Sequence, residues 1–448
     1  MINIRLIANK LGIDAAIAYT IIGRVIQAGG GVISILFIAK YLTKVEQGFY
    51  YTFGSLLAIQ IFFELGLSNV ITQFVAHEVA HLRWENKTQL IGSDKSLSRL
   101  SSLLHFCIKW FSIISIILVF VLIILGYFFF NKYGKSDVDV NWHIPWLILS
   151  VSTSTSLMIS PILAYFEGLG KVKEIALMRM VQQTVQLILL LLFLIFGLKL
   201  FASPLSAILS VFIIPFWFFS SSKKTLLKNI WQGQKEWKVN YKVEIFPFQW
   251  RIAISWISGY FIFQLFNPVL FARDGPVIAG QMGMTLTALN GVMSISMSWI
   301  NTKVPTFANL VAKKDYSSLD LIFDKTIKQA ISICGLILVL FAITIYTLQF
   351  YKISIGNRFL PIFPLTLLCI VTFVNQFIFA YAAYLRSHKK EPFLIQSIVM
   401  AVLTSLSTLL LGYYYGVNGI TIGYCFLTVF VSFFWSRNIF TNKKEEWH

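Results

Sequence analysis

The chain has 448 residues, 57% of them hydrophobic and only 12% charged, with a mean hydropathy of +0.74. Soluble domains are about 45–50% apolar and about 25% charged, so an ordinary soluble enzyme, a disordered chain and a disulfide scaffold are excluded. The 37 Lys and Arg against 19 Asp and Glu, a net +18, fit the basic loops of a multi-span membrane protein rather than nucleic-acid binding, because no basic and aromatic stripe sits on a polar domain.

A spanning helix needs about 20 mostly apolar residues. Twelve stretches qualify: 14–39, 48–72, 104–130, 144–166, 174–198, 200–221, 249–271, 277–301, 326–351, 359–385, 391–415 and 418–437. Their near-continuous hydrophobicity excludes a barrel, whose strands alternate. Helices remain the only way to satisfy that much backbone in lipid. The short polar N-terminal piece does not resemble a cleavable signal.

In the first predicted helix Arg24 lies about ten residues in, near the midplane at 1.5 Å rise per residue. A central Arg costs at least about 2.5–3.5 kcal/mol, so it is expected to face a wet cavity or an acid. Gln27, three residues on, shares its face. Gly29-Gly30-Gly31 suits a bend or close packing. Glu64 in the second helix lies at a similar depth, and two readings stay open: a structural Arg24–Glu64 pair, or a cationic site for an anionic head group.

His77-Glu78-Val79-Ala80-His81 follows. It matches H-E-x-x-H, which on a helix sets two imidazoles one turn apart with a Glu as base. A catalytic zinc needs a third protein ligand, and His105, His143 and His388 sit in no recognisable partner context, so no metal site and no catalytic residue is expected. The stretches 76–103 and 222–248 alternate charge with Trp and Leu and are predicted to lie along the membrane surface as amphipathic segments.

Further on, Arg179 with Gln182, Gln183 and Gln186 forms a polar stripe in the fifth helix. The seventh carries Arg251, Ser255, Tyr260, Gln264 and Asn267, and the tenth Asn375-Gln376. Interhelical hydrogen bonding explains any one of these. Together they are too many for lipid-facing surface and point to a hydrated central cavity. Cys107, Cys334, Cys369 and Cys425 lie in or beside apolar segments without paired spacing and read as small core hydrophobes. There is no P-loop, hence no ATP hydrolysis by this chain.

With the N-terminus cytoplasmic, inside segments carry 24 Lys and Arg and outside loops 8, so both termini are expected inside. The loop 222–248 divides the spans six and six. Two parallel halves follow, 1–222 and 249–448, joined by a cytoplasmic linker at 223–248. Weak echoes support a repeat: Ala76–Ala80 with Ala308–Ala312, and Tyr165 and Lys171 with Tyr384 and Lys390. The expected architecture is an all-α polytopic membrane protein of about twelve transmembrane helices, in two six-helix bundles around a central cavity.

Several motifs together resemble a known family: Arg24-x-x-Gln27, Tyr41-Leu42-Thr43, Glu46-Gln47-Gly48-Phe49-Tyr50, Glu64-Leu65-Gly66-Leu67, Glu167-Gly168-Leu169-Gly170-Lys171, the run Trp250 to Gly259, and Ala279-Gly280-Gln281. The chain resembles, over essentially its whole length, bacterial polysaccharide transporters of the O-antigen flippase type within the multidrug/oligosaccharidyl-lipid/polysaccharide exporter superfamily. The resemblance implies a non-enzymatic flippase of the bacterial inner membrane. It would move an undecaprenyl-diphosphate-linked oligosaccharide from the cytoplasmic to the periplasmic leaflet by alternating access, in O-antigen, lipopolysaccharide or related polysaccharide biosynthesis. No cofactor is implied beyond an ion gradient, with H+ and Na+ both open. Implied partners are the lipid-linked oligosaccharide, membrane lipids, and a polysaccharide polymerase and glycosyltransferases.

The substrate-binding set is Arg24, Gln27, Glu64, Arg179, Gln183, Arg251, Gln264, Asn267, Asn375 and Gln376. Arg24 is expected on the diphosphate, with Arg179 and Arg251 nearer the cytoplasmic mouth. Alternatives are a lipid II flippase, a multidrug exporter of the same superfamily (disfavoured by an Arg where an acid would be expected), and an intramembrane zinc protease. H-E-x-x-H has no place in the family mechanism.

Overall fold

The computed structural model describes residues 15–86, 88–134, 140–219, 223–233, 236–388 and 390–448. It is 87% helical, and among the described residues each of the twelve predicted spans lies mainly on helix. Among the described residues eight helices are long and apolar enough to cross a membrane, or nine if the bent pair Lys44–Glu64 and Leu67–Val79 counts as one. The difference from twelve has identifiable sources. Only part of the first helix, Gly29–Tyr41, enters that comparison, and Pro276–Lys313 is long but more polar. Leu394–Trp447 counts once although Gly416, at φ 59°, divides its first helix. This is a multi-pass membrane protein.

Besides the division at Gly416, two breaks within the described spans have readable reasons. Leu65 and Gly66 both take left-handed φ, at 50° and 67°, which ends the turn Ile61–Glu64 and restarts the helix at Leu67 with a 40° bend. A side chain at Gly66 would also place its Cβ 2.4 Å from Ile252 Cγ2. The second break separates Phe246–Phe263 from Phe266–Asp274. There Pro268 has no N–H to give, and its ring crowds the carbonyl four residues back, at Gln264.

The stretch 76–103 begins as helix and then changes structure. Its helix stops at Val79 and is followed by an antiparallel hairpin of Leu82–Asn86 with Gln89–Gly92. Asn86 Oδ1 accepts hydrogen bonds from the Thr88 amide and hydroxyl, at 2.8 and 2.9 Å, a local alternative to helical bonding that turns the chain. In 222–248, by contrast, Lys223–Trp231 is amphipathic as expected: Leu226, Leu227 and Ile230 are buried while Lys224 and Lys228 are exposed.

The chain divides into two compact units, residues 1–27, 57–128 and 141–256 in the first, and 28–56, 129–140 and 257–448 in the second. In the first, Leu67–Val79 packs on His143–Gly168 through small side chains. A Cβ at Gly168 would stand 2.6 Å from Val75 Cβ, and the Thr72 hydroxyl donates to Ala164 O at 3.0 Å. Close backbone approach with hydroxyl donors is how helices associate where lipid removes the hydrophobic drive. The second unit contains a core of Ile300, Phe307, Leu319, Phe323, Ala330, Tyr384 and Leu385, all nearly inaccessible.

One contact recurs in both units. Tyr165, near the end of His143–Gly168, donates its hydroxyl to Leu100 O at 3.0 Å, early in the preceding helix Asp94–Tyr133. Tyr384, near the end of Ile362–Arg386, donates to Asp320 Oδ1 at 2.6 Å, early in the preceding helix Tyr316–Phe350. Both tyrosines are fully buried. These are the two positions whose local sequences echo each other.

Candidate functional site

A cavity of about 280 Å³ lies within the second unit. Lys44–Leu57 supplies Tyr51 and Ser55, one turn apart. The break at Pro268 supplies Gln264 and Asn267. Pro276–Lys313 supplies Gly283, Thr287 and Asn290, a spacing that puts them on one face. Ile362–Arg386 supplies Thr372 and Asn375, and Tyr424 comes from Leu394–Phe426. Phe263, Phe266 and Phe379 complete the aromatic part, and every lining side chain is uncharged.

The interior geometry depends on a glycine. A Cβ at Gly283 would stand 2.3 Å from Tyr51 Cβ and 3.1 Å from Asn267 Nδ2, so only the bare backbone lets these two groups meet. Asn267 Nδ2 donates to Ser55 Oγ at 3.1 Å. Its Oδ1 is buried with no hydrogen-bond partner, and the buried Tyr51 hydroxyl lies beside Thr287. At the other wall Asn375 Nδ2 reaches the Tyr424 hydroxyl at 3.4 Å, and the Tyr424 ring packs 4.9 Å from that of Phe266. A buried polar atom without a partner is uncommon, and Asn267 Oδ1 belongs to a side chain that lines the cavity.

Of the residues predicted from sequence, Gln264, Asn267 and Asn375 come together here. Gln376 does not: its Oε1 accepts from Ser296 Oγ at 2.9 Å on the neighbouring helix. In the first unit Glu64 is half-buried at the left-handed break, and Gln183 faces the first helix at Gly23, with Oε1 3.7 Å from where a Gly23 Cβ would lie. Arg179 pairs with Glu167 at 3.1 Å, and the exposed Arg251 lies 5.6 Å from the Trp250 ring. Arg24 and Gln27 fall on Ala15–Tyr41, but their side chains lie outside the described residues. The polar lining residues absent from the sequence-derived set are Tyr51, Ser55, Thr287, Asn290, Thr372 and Tyr424. The spacing Gly283, Thr287, Asn290 was a readable signal, whereas the Tyr51 and Tyr424 contributions depend on packing between distant segments.

The H-E-x-x-H stretch has another occupation. Glu78 is buried and accepts from Arg99 Nε at 2.7 Å, and the same guanidinium reaches Glu244 at 2.5 Å. The Arg99 hydrogen bond holds the Glu244 carboxyl below its ordinary value. His77 and His81 are exposed, with ring centroids 5.6 Å apart. The residue that would act as base thus instead shares the Arg99 guanidinium that fastens Tyr241–Ile245 to Asp94–Tyr133 within the first unit.

The fold is one shared with membrane exporters. An inward-facing multidrug resistance MATE family transporter of the MOP superfamily superposes with a TM-score of 0.57 at 14% identity, over 92% of this chain and 99% of that one. A mutant of the Vibrio cholerae MATE transporter VcmN gives 0.57 at 14%, over 98% and 97%, and an outward-facing MATE transporter 0.53 at 14%, over 96% of each. At such identity the likeness is one of fold. The family model for polysaccharide biosynthesis proteins matches residues 15–311, and the chain belongs to that family. Among curated proteins there is no match.

Proposed function

We propose that the protein is a flippase for an undecaprenyl-diphosphate-linked oligosaccharide, moving it from the cytoplasmic to the periplasmic leaflet of the bacterial inner membrane, with both termini cytoplasmic. The observation that carries this reading is the polysaccharide-biosynthesis family match lying on an exporter fold. Alternating access is assigned to two halves, 1–222 and 249–448, rocking about the linker 223–248 and a shared cavity, with an H+ or Na+ gradient as the drive. Arg24 neutralises the diphosphate, and Arg179 and Arg251 receive it at the cytoplasmic mouth. Gln27, Glu64, Gln183, Gln264, Asn267, Asn375 and Gln376 complete the polar path. In the bacterium it serves O-antigen, lipopolysaccharide or related polysaccharide synthesis, between glycosyltransferases and a polymerase.

A drug exporter of the same superfamily is the competing reading. The cavity in the second unit carries no acid to hold a cationic drug, which favours the glycan. The test is complementation of a flippase-null strain. Restored surface polysaccharide with unchanged drug resistance supports the proposal. Raised drug resistance without polysaccharide overturns it.

A further inference from the structure

The cavity in the second unit has a chemistry narrower than the flippase reading requires. Its polar groups are amides and hydroxyls: Gln264, Asn267, Asn290 and Asn375 with Tyr51 and Thr287. A diphosphate finds no compensating positive charge on these walls, whereas hydroxyl-rich neutral molecules pair with such mixed donors and acceptors. Amides can both give and take a hydrogen bond, as each sugar hydroxyl can. Aromatic faces of Phe263, Phe379 and Tyr424 line the same volume and suit the apolar C–H face of a pyranose.

The unpartnered atom points the same way. Asn267 is only 6% exposed, and its Oδ1 has no donor. Its Nδ2 is already committed to Ser55, so the side chain cannot turn to satisfy the oxygen elsewhere without losing that bond. That oxygen is itself inaccessible, so a ligand hydroxyl supplies the missing donor only as Asn267 shifts toward the cavity it lines. Size limits the ligand: about 280 Å³ lies just below the range of about 300–1,000 Å³ for drug-sized ligands, room for one ring, not an oligosaccharide.

We infer that this cavity is a subsite for a single uncharged sugar ring of the transported glycan, with Asn267 and Asn290 as its specificity-determining contacts. The inference rests on the flippase reading and deepens it. The subsite discriminates by hydrogen bonding, so a ring with a carboxylate is rejected because no lining group compensates its charge.

The test uses the full chain in lipid nanodiscs. Saturation-transfer NMR with glucose, galactose and N-acetylglucosamine as probes, and glucuronate as the charged control, reports binding directly. At least one neutral sugar is expected to bind and glucuronate not. Asn290→Leu, at an exposed lining position, is expected to weaken the neutral sugar about tenfold with unchanged thermal unfolding, and Asn267→Leu at least as much. The inference is overturned if no neutral sugar binds, if glucuronate binds equally, or if Asn290→Leu binds like wild type. Complementation separates the two claims: restored polysaccharide without sugar binding sinks the subsite alone. Sugar binding by a chain that never restores polysaccharide sinks the flippase reading and, with it, the subsite's role in transport.

Discussion

Gln47 donates its side-chain amide to Gly280 O at 2.9 Å, joining residues 233 positions apart, and gives a second bond to Arg358 O at 3.0 Å. Arg358 answers by donating to Leu42 O at 2.6 Å. The chain can come this close because of two glycines. A Cβ at Gly48 would lie 2.0 Å from Pro276 O, and one at Gly280 would lie 2.8 Å from the Gly48 amide nitrogen. The approach to Gly280 starts with local chemistry: Thr43 and Glu46 exchange side-chain-to-amide bonds at 2.8 and 3.1 Å, a capping box that opens Lys44–Leu57.

Gly48→Ala therefore has no room to relax, since the obstructing atoms are backbone. It is expected to lower stability by about 1–3 kcal/mol, the usual cost of overpacking, and to disturb the nearby cavity by displacing Lys44–Leu57. Gly291→Ala, with no atom within 4 Å of its Cβ, is the matched control and should be neutral or slightly stabilising. Thermal unfolding of the two variants in one detergent checks the difference. Equal melting would mean that the close approach is not tight.

Much of this fold was legible in the sequence because bilayer thickness imposes a length rule on apolar stretches. Among the described residues each of the twelve predicted spans lies mainly on helix for that reason. The breaks were less visible. Pro268 marks one by its chemistry, but nothing about Leu65 announces a left-handed residue, since the close approach of Ile252 is to the adjacent Gly66 and joins segments far apart in the chain. The hairpin at Leu82–Gly92 is not marked in the sequence, because a charged, tryptophan-bearing stretch beside a membrane reads only as an amphipathic surface segment. Asn267 and Asn375 were identifiable as intramembrane amides, whereas their meeting with Tyr51 arises from the Gly283 contact, which no periodicity encodes. Gln376 looked identical to Asn375 in sequence, and one step of helical rotation turned it onto Ser296 instead.

The Glu78–Arg99–Glu244 cluster gives a pH dependence with a definite sign. Arg99 holds the folded Glu244 carboxyl below its ordinary value. A carboxylate so depressed contributes stability that is fully present above its unfolded pKa and is lost as pH falls through the folded one. Glu244→Gln is expected to cost about 1–2 kcal/mol at neutral pH, in keeping with a charged hydrogen bond. The gap to wild type should close as acid protonates Glu244 in the native chain. Melting curves from neutral to acidic pH test this, and a gap that widens on acidification refutes it.

Arg24 is the residue on which the proposed diphosphate contact depends. Arg24→Ala is expected to cut polysaccharide restoration at least about tenfold, the equivalent of about 1.4 kcal/mol, while the chain still inserts. Arg24→Lys keeps the charge but not the fork geometry, and should retain part of the activity. Wild-type restoration by Arg24→Ala at equal membrane level would remove the diphosphate role.

The recurring tyrosine contact predicts unequal costs from equal substitutions. Tyr165→Phe leaves Leu100 O without its side-chain donor in a fully buried setting, and should cost about 1 kcal/mol. Tyr384→Phe removes the same hydroxyl from the equivalent place, but Asp320 keeps Lys444 at 2.9 Å. Its carboxylate is about 29% exposed and so remains partly hydrated. The loss at Tyr384 is therefore expected to be the smaller, although both rings are equally inaccessible. If burial alone set the cost, the two variants would melt together. If the surviving partner sets it, Tyr165→Phe melts first, and adding Lys444→Ala to Tyr384→Phe brings the second contact down to the level of the first.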